Sequence, residues 1–144
     1  MKKKNELEFF APDTNFPLEI PHADTGVSAG FPSPAMDFME TRLDINKLLI
    51  KNPLSTFYVK VNGNSMVNAG IKNGDLLIVD RSLSPENSSI AVCFIDGEFT
   101  VKRLLVEKDG LMLMPENEHY LPIKITEGNT FFVWGIVTHV ISKL

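Results

Sequence analysis

Two different rhythms of apolar and polar residues run along this chain, and they change over near Asn52-Pro53. Before that point the spacing is helical. Ser33 can cap a helix with Pro34 at its first position, and Met36, Met39 and Leu43 recur at three- and four-residue intervals. A second short turn over Asp44 to Ile50 places Ile45, Leu48 and Leu49 on one side, and Asn52-Pro53 ends it. Beyond it the pattern is that of strands: residues 56–61, 75–80, 89–95, 98–106, 111–114 and 131–141 are apolar-rich runs, most of them carrying valine, isoleucine, phenylalanine or threonine. Asp96-Gly97 between the third and fourth of these is the strongest hairpin signal in the chain. About six strands with little helix after Ile50 predict a mainly β domain with a curved antiparallel sheet or barrel-like core.

The front of the chain has neither rhythm. Pro12, Pro17, Pro21, Pro32 and Pro34, with Gly26 and Gly30, punctuate any helix or central strand there. The expected organisation is therefore an extended N-terminal arm over residues 1–34, mobile or laid across the body, and a β domain over residues 35–144. The arm is too short and proline-rich for a helix-turn-helix.

Charge and composition narrow the partners. A formal net charge of −4, with no basic block beyond Lys2 to Lys4, argues against the nucleic-acid backbone as a main partner, because such binding depends on Lys and Arg displacing counterions. Glu6 and Glu8 stand where a signal peptide would carry its apolar stretch, and no apolar run reaches the ~18 residues of a membrane span. The expected location is the cytoplasm, with no membrane contact. Cys93 is the sole cysteine and lies in an apolar run, so a buried inert thiol is expected and an intrachain disulfide or zinc cluster is excluded. No glycine-rich nucleotide loop or metal-ligand spacing is present, and no cofactor is expected.

Candidate chemistry begins with Ser65, which follows a predicted strand in Val61-Asn62-Gly63-Asn64-Ser65-Met66. Gly63 allows a turn closed to other residues, and a serine just past it can be held exposed with amides nearby to stabilise an oxyanion. A serine becomes a nucleophile only beside a base. His22, His119 and His139 have no persuasive partner and read as structural or surface residues. Lys102 competes with them: it adjoins Arg103 in a strand otherwise rich in strand formers and leucines. Adjacent strand residues face opposite ways, so one of the two can turn inward while the other reaches solvent. A free lysine of pKa ~10.4 is only about 0.04% neutral at pH 7. An inward lysine can become a base because burial disfavours its ammonium form, whereas a surface lysine snorkels and stays charged.

Taken together, several segments resemble the UmuD/LexA-type self-cleaving serine–lysine peptidases, in that family's order. They are Ser28-Ala29-Gly30-Phe31-Pro32-Ser33-Pro34-Ala35, Gly63-Asn64-Ser65-Met66, the stretch from Gly70 to Asp80, and Asp96-Gly97-Glu98-Phe99-Thr100-Val101-Lys102. Ala29 lies 36 positions before Ser65, and Lys102 lies 37 positions after it, spacings that fit the family. The resemblance covers roughly residues 26 to 142.

It implies Ser65 as nucleophile, Lys102 as general base, the amides of Asn64 and Ser65 as oxyanion donors, and the bond between Ala29 and Gly30 as the one cut. It further implies a homodimer, self-cleavage stimulated by a RecA–single-stranded DNA filament after DNA damage, and a shortened product that joins a Y-family translesion polymerase of the UmuC type. One departure is Ala29, where the best-known UmuD carries cysteine and the LexA-type repressors carry alanine. The short arm favours UmuD over LexA, with no direct sequence-specific DNA binding. Two alternatives stand beside this reading: a non-enzymatic polymerase accessory subunit with a vestigial dyad, and a LexA-like transcriptional regulator.

Overall fold

The computed structural model describes residues 7–15, 17–23 and 39–144. Ten strands are present among them: β1 (Leu7–Phe10), β2 (Glu19–Ala23), β3 (Met39–Asp44), β4 (Thr56–Val61), β5 (Leu76–Asp80), β6 (Ile90–Ile95), β7 (Glu98–Glu107), β8 (Gly110–Met114), β9 (Ile123–Lys124) and β10 (Phe131–Ile141). Among the described residues, helix is confined to α1 (Ile45–Leu49) and a 3-10 turn at Val67–Ala69. The chain forms two compact units, one of residues 13–53 and one of residues 1–12 with 54–144.

The larger unit is a curled antiparallel sheet of eight strands in the order β1-β4-β5-β10-β6-β7-β8-β9. The mainly β fold expected from the sequence is the one observed, and residues 131–141 form a strand with the expected bounds. Both faces of the sheet are apolar because side chains alternate along each strand. Val59, Leu77, Val79, Val92 and Val101 form one buried cluster. Ala91, Cys93, Leu104, Leu113 and Ile136 form the other. Asp96 and Gly97 make the two-residue turn of the β6–β7 hairpin with φ of 48° and 91°, and Ile95 pairs with Glu98 across it. Strand β10 runs between β5 and β6 and shifts register between Val133 and Gly135. A Cβ on Gly135 would lie 2.6 Å from Val79 Cγ1, so the strands approach closely there only because position 135 has no side chain.

The front of the chain departs from its own local pattern. Leu7 to Phe10 is a strand of the main sheet, with Leu7 opposite Val61 and Phe10 opposite Tyr58, and Leu7 joins the first buried cluster. The helix expected from Ser33 to Leu43 is not formed over its described part: Met39 to Asp44 is strand β3, paired antiparallel with β2. The ladder supplies hydrogen-bond partners from residues about twenty positions away, which local spacing does not register. Asp44 ends β3 and caps α1, its carboxylate accepting from the amides of Asn46 and, across the ladder, Leu18.

Candidate active site

Strand β4 ends at Val61, and the turn that follows carries Ser65. Gly63 sits at φ 136°, in the half of the map that side chains disfavour, and its amide donates to Asn73 Oδ1 at 2.8 Å. The loop is fastened from the far side by the segment after β8. The Glu116 amide donates to the Ser65 carbonyl at 2.8 Å, and the Asn68 amide donates to the Glu116 carbonyl at 2.8 Å. Asn117 Nδ2 donates to the Asn64 carbonyl at 2.8 Å. The peptide joining Asn64 to Ser65 is trans, so its N–H points opposite to the carbonyl that Asn117 holds.

Lys102 lies on β7 opposite Ala91, with Thr100 opposite Cys93 and Leu104 two positions on. This register puts it on the face of the second apolar cluster, and only 7% of its surface remains exposed. Arg103 faces the other way. It is about one-third exposed, and its Nε donates to Glu116 Oε1 at 2.6 Å. Of the two arrangements left open by the sequence, Lys102 inward and Arg103 outward is the one found. Lys102 Nζ is 3.1 Å from Ser65 Oγ, 2.6 Å from Thr100 Oγ1 and 3.1 Å from the Val101 carbonyl oxygen. Ser65 itself is half-buried.

These groups line a cleft of about 240 Å³, walled on its apolar side by Leu7, Val61, Phe99 and Ile123, with Tyr120 and Leu121 exposed at its rim. The cleft therefore draws on β1, β4 and the loop after it, β6, β7, and β9 with the segment before it. Burial pushes the Cys93 thiol up to about 12, against a smaller opposing pull from Lys102. The expected buried thiol is thus found, neutral across the physiological range, with its neighbour Lys102 close enough to be felt.

The remaining sequence candidates fall elsewhere. His22 is in β2. His119 is exposed in the segment after β8, His139 is exposed on β10, and neither lines the cleft. Ala29 and Gly30 lie outside the described residues. Thr100, Glu116 and Asn117 were not singled out from the sequence. Thr100 could have been found by its position two before Lys102, which places both on one face of a strand. Glu116 and Asn117 carry no local signal, since what matters is the loop they meet. Among the described residues, no group of three His, Cys, Asp or Glu side chains could hold a metal ion, and no helix is long and apolar enough to cross a membrane.

Residues 22–138 match the family described as Peptidase S24-like, so the class is a peptidase-type β domain. Over 119 residues the chain is 44% identical to Protein ImpA of Escherichia coli, covering 80% of this chain and 78% of that protein. It is 40% identical to Protein MucA of Escherichia coli over 121 residues, 83% of this chain and 82% of that one. LexA repressor 1 of Geobacter sulfurreducens is 38% identical over 115 residues, 80% of this chain but 56% of the repressor. The chain belongs to the peptidase S24-like family and is of the UmuD type within it.

Proposed function

We propose that this chain is a self-cleaving serine–lysine peptidase that cuts its own Ala29–Gly30 bond. The observation that carries the reading is the approach of a buried amine to a half-exposed hydroxyl: Lys102 Nζ and Ser65 Oγ stand 3.1 Å apart, within the reach a general base needs. Burial among Ala91, Cys93 and Leu104 withdraws water from the amine and disfavours its ammonium form. A neutral amine has two hydrogens and one lone pair. With Thr100 Oγ1 and the Val101 carbonyl accepting its hydrogens, the lone pair is available to the Ser65 hydroxyl.

In the reaction, Lys102 takes the Ser65 proton as Oγ bonds to the Ala29 carbonyl carbon. The carbonyl oxygen becomes an oxyanion, for which the amides of Asn64 and Ser65 are the proposed donors. Collapse breaks the bond to Gly30, whose nitrogen receives the proton from Lys102. Water, deprotonated by the same amine, then releases Ala29 as a carboxylate and restores Ser65. Ala29 and Gly30 are small enough for close approach, and their tether to the body raises their effective concentration, which offsets a slowly activated base.

The biological reading rests on family membership. We infer that cutting is stimulated by the RecA–single-stranded DNA filament after DNA damage, in the cytoplasm. The product, as a homodimer, serves a Y-family translesion polymerase. Removal of the arm is the output, rather than proteolysis of other proteins. The test is mass determination of the products after incubation at alkaline pH and with the RecA filament. A fragment beginning at Gly30, produced faster as pH rises and lost in Ser65→Ala and Lys102→Ala, is expected. If neither condition yields it, the chain is an accessory subunit without peptidase activity.

A further inference from the structure

Among the described residues, the two strands that precede the proposed cut pair with strands that follow it. Strand β1 (Leu7–Phe10) lies along β4 with four residue pairs in register, and β2 (Glu19–Ala23) lies along β3 with five pairs, the last after a register shift at His22/Ala23. Cutting after Ala29 severs one peptide bond and none of these contacts.

At the first attachment, Leu7 is 6% exposed and belongs to the buried cluster with Val59, Val61 and Val101. The Phe9 ring meets Trp134 edge-on at 4.8 Å and Phe99 at 5.1 Å. Glu8 stands opposite Lys60, charges of opposite sign across the ladder. At the second attachment, the Leu18 carbonyl accepts from the Ile45 amide at 2.7 Å, and the Leu18 amide donates to Asp44 Oδ1 at 3.1 Å. Each ladder alone is short. Joined through residues 11–18, they form a bivalent ligand: while one ladder holds, the other reforms at high local concentration. Without β1, the edge of β4 would present unpaired backbone, and Leu7, Phe9 and their partners would be exposed to water.

We propose that the segment 1–29 stays on the body after cleavage as a two-stranded ligand, β1 on β4 and β2 on β3, so that cutting and unmasking are separate steps. This rests on the cut site proposed above, and it goes beyond it. Hydrolysis licenses release, and exposure of the β4 edge and the Phe99–Trp134 surface follows only when the segment dissociates or is displaced.

The test uses the full chain and does not depend on self-cleavage. In a Ser65→Ala chain, residues 24–29 are replaced by the recognition sequence of a site-specific protease, and the folded protein is cut there. Native mass spectrometry at low micromolar concentration is expected to find, for each chain in the species present, the mass of the intact chain plus one water. Trp134, the only tryptophan, gives a second readout: its emission holds on cutting and shifts to the red when the segment leaves. Leu7→Asp places a charge in the buried cluster and is expected to lower retention about tenfold or more. Phe9→Ala, which spares the core, is expected to lower it by a smaller factor. Loss of the segment immediately on cutting overturns the proposal, as does retention that neither variant weakens. A chain that releases Gly30-started product by itself but sheds residues 1–29 at once leaves the peptidase reading intact and removes only this one. A retained segment in the engineered chain, with no self-cleavage in the natural one, does the reverse.

Discussion

Lys102 owes its position to the strand that carries it, and the groups around its amine include Ser65 Oγ, Thr100 Oγ1 and the Val101 carbonyl. Thr100 Oγ1, at 2.6 Å, is the nearest of these three and comes from the same strand face. Thr100→Val keeps the shape and removes the acceptor. At about 1.5 kcal/mol for a hydrogen bond of this kind, self-cleavage at neutral pH is expected to slow about tenfold. Thr100→Ser should restore most of the rate, and a pH–rate profile should show the alkaline rise displaced in the valine variant only. Cys93 makes a separate prediction, about stability. Its thiol is raised in the folded chain from 9.0 to about 12. The unfolded chain therefore releases the proton first as pH rises. This contribution to stability is complete below pH 9 and declines as pH climbs toward 12. Urea unfolding followed from pH 8 to 10.5 should show that decline, and Cys93→Ala should flatten it. The alkaline cleavage assay belongs at the lower end of this range. Ser65, Lys102 and Cys93 were legible as candidates because each has an odd chemistry for its local setting; Thr100 was not, because a threonine in a strand is ordinary.

At the scale of elements, the site is held by register. Strand β10 supplies the centre of the sheet, and its register shift at Gly135 lets it pass over Val79 between β5 and β6. Gly135→Ala forces a methyl against Val79 and Arg81, and overpacking of this kind costs roughly 1–3 kcal/mol. A fall of that size in urea-unfolding stability is expected, with the mainly β circular dichroism spectrum retained. The strap of Glu116 and Asn117 acts on both sides of the site. Its backbone holds the Ser65 loop, and its Glu116 carboxylate meets Arg103, next to Lys102. As a partly exposed ion pair, Arg103–Glu116 contributes ~0–1 kcal/mol to stability, so placement is its larger effect. The β6–β7 hairpin was readable from Asp96-Gly97, since a type of turn and two flanking strands are written within a dozen residues. The pairing of β3 was not, because Met39 to Asp44 has helical spacing and becomes a strand only when β2 lies beside it.

For the whole molecule, charge and topology set what it can meet. With a net charge of −4 and its basic residues dispersed after Lys4, the chain has little with which to displace counterions from duplex DNA. Fluorescence anisotropy with duplex DNA at physiological salt is expected to show no sequence-specific binding; tight, sequence-dependent binding would favour the regulator alternative. The amino-acid sequence alone determined the strand-rich body from β4 onward, the turn that separates β6 from β7, and the residue types of the site, because alternation, turn chemistry and side-chain chemistry are local. Tertiary structure decided what local patterns do not encode: that Leu7 pairs with Val61, that Met39 to Asp44 is strand rather than helix, and that Lys102 turns inward to meet Ser65. Those outcomes depend on hydrogen bonds and burial supplied by segments about twenty to fifty positions away, which come into being only when the sheet closes.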